Sequence, residues 1–257
     1  MPINPQNPST DVTIHYVNPS SISDSATLES WSCWLDAAEL ARLDRLQNPT
    51  HRHRFLVSHA LARAVIGQAL DCSPVSIVFG SHPQGKPFVS EPRAQQPCYF
   101  NLTHTHEMAA IALSVQGPVG LDVEWLARRG PEVGLAQRFF TSNEYQDILR
   151  QPKHEQHHRL LMYWTLKEAY IKAEGWGLGV GLDSFEFELS AGASPQLHIC
   201  KPEATPHHNW QFRQFSVMNS HLMAVAAVTP HGKALSVQTQ PWPAPSPSPS
   251  LPPSLTT

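Results

Sequence analysis

His53-Arg54-Phe55-Leu56-Val57 and His158-Arg159-Leu160-Leu161-Met162 each begin a helical pattern, and six of the fourteen positions from 53–66 and 158–171 are identical when aligned. A second match follows each of them, since His106-Glu107-Met108-Ala109 resembles His221-Leu222-Met223-Ala224. Two copies of one unit that contains helices and strands explain both matches. Such a duplication predicts a cleft between the copies, where ligands tend to bind.

The composition limits the class of protein. The chain has 257 residues, 41% of them hydrophobic, which is sufficient for a packed core, and its net charge of −3 argues against general nucleic-acid binding. No apolar run is long enough to span a membrane, and the N-terminus lacks the pattern of a signal peptide. The four cysteines are scattered and form no C-x-x-C pair, so we expect reduced thiols in a cytoplasmic protein.

The duplication and the proline distribution predict three segments. An N-terminal unit at 1–117, of which roughly the first 30 residues are of uncertain order, precedes a C-terminal unit at 118–232. The remainder, 233–257, is predicted to be a disordered tail, because 241–257 reads PWPAPSPSPSLPPSLTT and offers little to bury. The predicted fold class is α+β, with two pseudo-symmetric subdomains, each a small antiparallel sheet packed on a long helix, and an active site between them.

Hydrophobic periodicity predicts the individual elements. Helices are expected at 37–46, 54–69, 135–140, 143–149 and 158–174, and strands at 75–80, 109–115, 119–125, 185–189, 210–216 and 222–228. Glycines at 175, 177, 179 and 181 end the last helix.

Two carboxylates are predicted to share one face of a strand in Gly120-Leu121-Asp122-Val123-Glu124. Side chains alternate in a strand, so Asp122 and Glu124 point the same way while Leu121 and Val123 point the other way. Such a pair persists on a solvated face or around a cation, and hard oxygen ligands suit Mg²⁺.

One face of the later helix carries a second set of polar groups. In Tyr163–Lys172, the side chains of Trp164, Glu168 and Lys172 follow one another at intervals of four residues. An ordinary Glu–Lys helix pair would explain them, but Leu161 and Trp164 suggest that this face packs inward. Together with Asp122 and Glu124, Glu168 would complete three carboxylates around one Mg²⁺.

Potential phosphate ligands occur mainly in the first half. Five arginines and one acid lie between 42 and 63, Lys86 lies in a Gly-Lys-Pro turn, and Asn101-Leu102-Thr103-His104 ends a predicted strand. Arginine binds phosphate through a fork, lysine as a point charge and histidine through a ring N–H. These groups together favour an anionic ligand with several phosphates.

Other chemistries have little support in the sequence. Fifteen histidines raise the alternative of a structural zinc site, but they are scattered and no H-E-x-x-H is present. There is no G-x-S-x-G, P-loop or G-x-G-x-x-G.

The combined motifs resemble a known family. Gly120–Glu124 and Trp164–Lys172 resemble the two signature motifs of the 4′-phosphopantetheinyl transferases, in the longer, monomeric, pseudo-two-fold, surfactin-synthetase-activating type. The segments at 138–145, 53–54, 85–87 and 101–104 are similar to further parts of that family, so the resemblance covers about residues 30–230. It implies transfer of the 4′-phosphopantetheine group of coenzyme A to a serine of an acyl or peptidyl carrier protein, with adenosine 3′,5′-bisphosphate as the other product.

The resemblance also implies roles for individual residues. Asp122, Glu124 and Glu168 would hold Mg²⁺ on the diphosphate, and Glu168 would help to deprotonate the serine, directly or through water. Lys172 would contact the phosphates. Arg54, Lys86 and His104 would bind the 3′-phosphate and diphosphate, and Thr103 stands where the family usually has serine, which retains a hydroxyl.

Two other functions use the same residues. A Mg²⁺-dependent hydrolase of coenzyme A or another diphosphate would release phosphopantetheine without a carrier, and a non-catalytic module would bind coenzyme A without turnover. The complete acidic set argues against a pure binder. Two internal copies also predict one complete cleft per chain and hence a monomer. The net charge and the lack of a long apolar run predict no nucleic-acid and no membrane partner.

Overall fold

The computed structural model describes residues 11–93, 96–128, 133–229 and 233–242. Six helices lie in these ranges: α1 Ser25–Ser32, α2 Ala37–Arg45, α3 Pro49–Leu70, α4 Val133–Phe139, α5 Ser142–Arg150 and α6 Lys153–Glu174. None of the described helices is both long and apolar enough to cross a bilayer.

Local capping groups define where these helices begin and end. Capping boxes begin α2 at Asp36 and α5 at Thr141, each with a glutamate at the third helical position. Helix α3 begins five residues before the predicted start at Arg54, because Asn48 caps it and Pro49 suits the first helical position. Helix α6 ends at Gly175, whose φ of +74° is the left-handed conformation that glycine adopts at little cost.

Eleven strands complete the described elements: β1 Val12–Val17, β2 Val78–Ser81, β3 Pro87–Glu91, β4 Tyr99–Thr105, β5 Met108–Ser114, β6 Val119–Trp125, β7 Phe185–Glu188, β8 Gln196–Ile199, β9 Trp210–Val217, β10 His221–Val228 and β11 Val237–Pro241. They form a four-stranded sheet in the order β11-β1-β5-β4, a three-stranded sheet in the order β6-β10-β9, and two separate ribbons, β2-β3 and β7-β8.

The element order repeats, as the sequence matches predicted. From β1 to β5, the chain forms one strand, three helices and four strands in that order. From β6 to β10, it forms the same succession. The strand orders β1-β5-β4 and β6-β10-β9 correspond, and both sets pair antiparallel. The predicted α+β fold of two related units is therefore confirmed.

Each sheet packs one face on its long helix and the other face on the second sheet. On one side, Val57 and Leu61 of α3 pack with Ile111 of β5. On the other side, the buried side chains of α6 pack with Ala224 and Ala226 of β10. Between the sheets, Ile14 and Ala110 meet Leu121, Val123 and Met223 in a third apolar cluster. Burial of these apolar faces stabilises the arrangement.

The ends of the chain differ from the prediction. Strand β1 and helix α1 lie within the first residues, whose order the sequence left open. The predicted disordered tail at 233–257 is wrong for its first part, because β11 pairs in parallel with β1 and the Trp242 ring lies 5.1 Å from that of Trp31. Residues 243–257, which hold most of the Pro/Ser run, lie outside the described residues.

One predicted strand is also shorter than expected. The stretch 75–80 divides into a 3₁₀ turn, Pro74–Ser76, and the beginning of β2. Pro74 occupies the first position of that turn, where its missing N–H costs nothing.

Candidate active site

The two carboxylates of the GLDVE stretch lie side by side on β6, and both are buried. Asp122 is 5% exposed and Glu124 is 8% exposed, whereas Leu121 and Val123 face the cluster between the sheets. Gly120 allows α6 to lie directly against this strand, since a Cβ at that position would be 2.0 Å from the carbonyl oxygen of Ala169.

Lys172 of α6 joins three elements at this point. Its Nζ donates to Asp122 Oδ1 at 2.5 Å, to the carbonyl of Leu121 at 3.4 Å and to Thr103 Oγ1 of β4 at 3.5 Å. Burial alone would lower the pKa of Lys172, but the carboxylates of Asp122, Glu168 and Glu124 outweigh it and raise the pKa. The ammonium group is therefore held in its charged form between the two halves.

The same burial acts on the carboxyl groups. Loss of water raises the pKa of Asp122 to about 7, against the opposing effect of Lys172. Burial also raises the pKa of Glu168, and Glu124 adds to the shift. The second oxygen of Asp122, Oδ2, is buried and has no hydrogen-bond partner among the described residues. A buried acceptor without a donor is costly, so this oxygen is suited to a ligand.

The donor set has the chemistry of a magnesium site. Asp122, Glu124 and Glu168 supply hard oxygen ligands, and the free Oδ2 of Asp122 is available to a cation. Two of the three carboxylates are, however, engaged with cations of the chain: Asp122 with Lys172, and Glu124 with Arg128. In these rotamers, no three acidic, His or Cys side chains of the described residues are arranged as a metal site.

Two of the predicted phosphate ligands, Arg54 and His104, lie near each other, and His104 also lies near Lys172. The side chain of His104 is exposed, and its pKa is lowered to about 4 by loss of water first and then by the charges of Arg54 and Lys172. The two neighbouring cations favour the neutral ring when no anion is bound, and either form of the ring offers an N–H to a phosphate. Arg54 of α3 is half-buried, and its carbonyl accepts a hydrogen bond from the hydroxyl of Ser58. Its guanidinium makes no hydrogen bond or ion pair with the part of the chain that the structure describes.

Lys86 lies on the other side of the same cleft. Its Nζ donates to the carbonyl of Ala173 at 2.7 Å and to that of Val119 at 3.2 Å, so the lysine connects the β2–β3 turn with the end of α6 and the start of β6. Burial lowers the pKa of Lys86 to about 8, and the carboxylate of Glu174 opposes the shift. A cavity of about 280 Å³ is lined by Lys86, Glu168 and Lys172, among others.

The structure corrects one correspondence that the sequence matches suggest. Aligning the repeats places Glu168 opposite Arg63, but Arg63 is fully buried and donates to Glu39 and Asp36. Its structural equivalent is Lys167, which is also fully buried and pairs with Glu144 at 2.9 Å. Both cations also donate to two backbone carbonyls of the segment that follows their helix.

Sequence reasoning missed two residues that shape the site. Arg128 binds Glu124, and it follows the motif by only four positions, the spacing of an i,i+4 pair. The sequence gives Asn101 no role of its own, yet its Oδ1 accepts a hydrogen bond from the backbone N–H of Leu121 at 2.8 Å and thereby links β4 to β6. In the sequence alone, nothing distinguishes either residue from an ordinary polar residue on the surface.

Comparisons with known proteins decide the family. Residues 118–226 match the model of the 4′-phosphopantetheinyl transferase superfamily, and residues 23–116 match the model of a 4′-phosphopantetheinyl transferase N-terminal region. The chain is 32% identical to the 4′-phosphopantetheinyl transferase HetI of Nostoc sp., over 63% of this chain and 68% of that protein. The chain belongs to the 4′-phosphopantetheinyl transferase superfamily.

Other members of the family match over a larger part of the chain. The transferase Sfp of Bacillus subtilis is 30% identical over 79% of this chain and 86% of its own length, and the transferase ffp of Bacillus subtilis is 31% identical over 77% and 84%. The crystal structure of Thermotoga maritima holo-[acyl-carrier-protein] synthase aligns with 42% of this chain and 61% of its own, with a TM-score of 0.33 and 22% identity.

These relatives confirm the resemblance and the expected activity. The chain is a 4′-phosphopantetheinyl transferase, an enzyme that transfers the 4′-phosphopantetheine group to carrier proteins. No finding supports the alternative of a hydrolase.

Proposed function

We propose that the donor is coenzyme A, that the acceptor is the serine hydroxyl of an apo acyl or peptidyl carrier protein, and that the reaction releases adenosine 3′,5′-bisphosphate. The observation that carries this proposal is the position of Lys172, whose Nζ contacts Asp122 of the second half and Thr103 of the first. Acidic groups of one half thereby meet phosphate-binding groups of the other half along a single cleft.

The residues that would hold Mg²⁺ are Asp122, Glu124 and Glu168. When bound, the ion would neutralise negative charge on the diphosphate and on the leaving bisphosphate. The proposal is supported by the unpartnered Oδ2 of Asp122 and by the three carboxylates around Lys172.

The remaining cations would bind and orient the diphosphate. The guanidinium of Arg54 offers a two-pronged contact to a phosphate, and His104 and Thr103 offer single hydrogen bonds. Lys86 uses two of its three N–H bonds on backbone carbonyls, which leaves one for a phosphate oxygen. Lys172 adds a permanent positive charge beside Asp122.

Glu168 would accept the proton of the acceptor serine at a carboxylate oxygen, directly or through one water. The serine oxygen then forms a bond to the phosphorus that carries the pantetheine arm, while the bond from that phosphorus to the bridging oxygen of the bisphosphate breaks. A carboxylate within reach of the serine is useful because the neutral hydroxyl is a weak nucleophile.

We also propose that the two units meet near residue 117 and that one chain forms the complete site, so that the protein works as a monomer without membrane or nucleic-acid partners. The four cysteines are all free thiols in the structure, which supports the proposal of a reducing, cytoplasmic environment.

The test is direct. The protein is incubated with coenzyme A, Mg²⁺ and a panel of apo carriers, and each carrier is weighed by mass spectrometry. We expect one phosphopantetheine to be added, and we expect the rate to fall by about 10²–10⁴-fold in Glu168→Ala and to be lost in Asp122→Ala. Asp183→Ala, which removes an exposed carboxylate paired with Lys201, is the matched control with normal activity. No mass gain on any carrier would contradict the proposal.

A further inference from the structure

We propose that Arg128 competes with the divalent cation for Glu124, so that the arginine occupies this carboxylate in the metal-free enzyme and is displaced when the metal binds. This inference rests on the proposed function, which places Glu124 among the residues that hold Mg²⁺. It assigns a role to a residue just outside the signature stretch.

The contact joins residues four positions apart in the sequence. Arg128 Nη1 donates to Glu124 Oε1, and the backbone N–H of Arg128 donates to the carbonyl of Trp125 at 3.0 Å, which closes a turn at the end of β6. This turn places the side chain of Arg128 next to β6. The pair therefore forms from sequence neighbours and does not depend on the docking of the two halves.

The two partners differ in exposure. The side chain of Glu124 is 10% exposed and that of Arg128 is 39% exposed. The carboxylate is therefore held inside the site, while the guanidinium reaches it from the solvent side. Arg128 can leave without unpacking the core, whereas Glu124 cannot.

The charges of the site give the reason for the exchange. Without a metal, the carboxylates of Asp122, Glu124 and Glu168 lie near one another, and Lys172 pairs with only one of them. Arg128 relieves the repulsion at Glu124. A divalent cation adds two positive charges at the same carboxylates, so it makes the arginine redundant there and repels it.

This arrangement predicts a cost for metal binding. The ion must replace an ion pair that is partly exposed, and such pairs stabilise proteins only modestly. Removal of Arg128 should therefore tighten metal binding by about two- to fivefold.

The experiment measures Mn²⁺ binding by electron paramagnetic resonance. The full-length protein is saturated with coenzyme A, and no carrier is present, so no turnover occurs. Four proteins are compared: the wild type, Arg128→Gln, Glu124→Gln and the double variant. Circular dichroism confirms that each is folded.

The double variant separates displacement from a general charge effect. We expect Arg128→Gln to bind Mn²⁺ about two- to fivefold more tightly than the wild type, and we expect no such gain when Glu124 is already glutamine. Unchanged or weaker binding in Arg128→Gln, or the same gain in the Glu124→Gln background, would overturn the proposal.

The single Glu124→Gln variant tests whether Glu124 is a metal ligand. If it binds Mn²⁺ as tightly as the wild type, Glu124 is not a metal ligand, and both the metal assignment and the role of Arg128 are wrong. If Glu124→Gln weakens binding while Arg128→Gln leaves it unchanged, only the role of Arg128 is wrong.

Discussion

At the level of single residues, the two lysines of the cleft lie in opposite electrostatic settings. Lys172 faces three carboxylates, which raise its pKa despite its burial. Lys86 is surrounded mainly by backbone carbonyls, and burial lowers its pKa to about 8. The first lysine therefore keeps its charge in the neutral range, and the second loses its charge near pH 8.

This difference predicts a pH dependence for the capture of coenzyme A. Lys86 is protonated below about pH 8 and neutral above it, so kcat/KM for coenzyme A should decline as the pH rises through that value. In Lys86→Arg the guanidinium remains charged, and the decline should disappear or move to higher pH. Initial rates from pH 6 to pH 10 at subsaturating coenzyme A would measure it, because kcat/KM reports on the free enzyme.

A matched variant identifies the group responsible. Glu174→Gln removes the charge that opposes the shift of Lys86, so the decline should begin at a lower pH. Identical profiles for the wild type and Lys86→Arg would show that Lys86 does not titrate in this step.

At the level of elements, the close packing of α6 on β6 places the site residues. Gly120 allows this approach: a Cβ there would also be 2.5 Å from the backbone nitrogen of Ala173. Glu168 and Lys172 lie on the helix, Asp122 lies on the strand, and Gly120 sets the distance between them. The glycine of the motif thus has a steric role, while its neighbours have chemical roles.

We expect Gly120→Ala to damage both stability and activity. The methyl group would push α6 away from β6, which costs about 1–3 kcal/mol or more and separates Lys172 from Asp122. Urea unfolding and the carrier mass assay would measure the two effects. Gly134→Ala is the control, because nothing lies within 4 Å of a Cβ on that helix position, and it should leave both properties intact.

The second feature at this level is a repeated link between a short helix and a long one. The capping-box glutamate of α2, Glu39, binds Arg63 of α3, and the capping-box glutamate of α5, Glu144, binds Lys167 of α6. In each case one carboxylate both caps a helix and neutralises a fully buried cation. The two pairs are not equivalent, because Arg63 has Asp36 as a second carboxylate partner.

This asymmetry predicts unequal losses. Glu144→Ala leaves Lys167 buried without a carboxylate and should lower the free energy of unfolding by about 3–5 kcal/mol. Glu39→Ala should cost less, since Arg63 retains Asp36. Equilibrium unfolding in urea would compare the two variants, and equal losses would contradict the role assigned to Asp36.

At the level of the whole molecule, the C-terminal segment completes the sheet of the first half. Asp11 accepts hydrogen bonds from Lys233 Nζ at 3.1 Å and from the backbone N–H of Ser236 at 2.8 Å, before β11 pairs with β1. The backbone N–H of Trp242 then donates to the carbonyl of Tyr16 at 2.7 Å. Strand β11, the last of the described strands, therefore covers an edge of the sheet that β1 would otherwise leave open.

Removal of this segment should destabilise the protein. A chain that ends after residue 232 loses β11 and the contact of Trp242 with Trp31, and we expect a loss of roughly 3 kcal/mol, comparable to deleting a large core side chain. A chain that ends after Trp242 keeps every described contact and is the control. Thermal unfolding would compare them, and equal transition temperatures would show that β11 contributes nothing.

The sequence by itself determined the local structure and the chemical type of the site. Periodicity revealed the two long helices, alternation placed Asp122 and Glu124 on one face, and Gly175 ended α6, because these patterns depend only on near neighbours. The repeat and the two motifs were sufficient to predict the family and the two-fold arrangement. These features are local or are repeated in order, so no knowledge of distant contacts was required.

The tertiary structure alone decided which charges pair and that β11 pairs with β1. Arg63 is matched by Lys167 instead of Glu168, and Lys86 donates to backbone carbonyls. Both features depend on contacts between segments that are far apart in the sequence. The addition of β11 to β1 likewise depends on backbone hydrogen bonds between opposite ends of the chain, and such bonds leave little trace in side-chain composition. Burial then converts these pairings into shifted pKa values, because removal of water penalises any charge that has no partner.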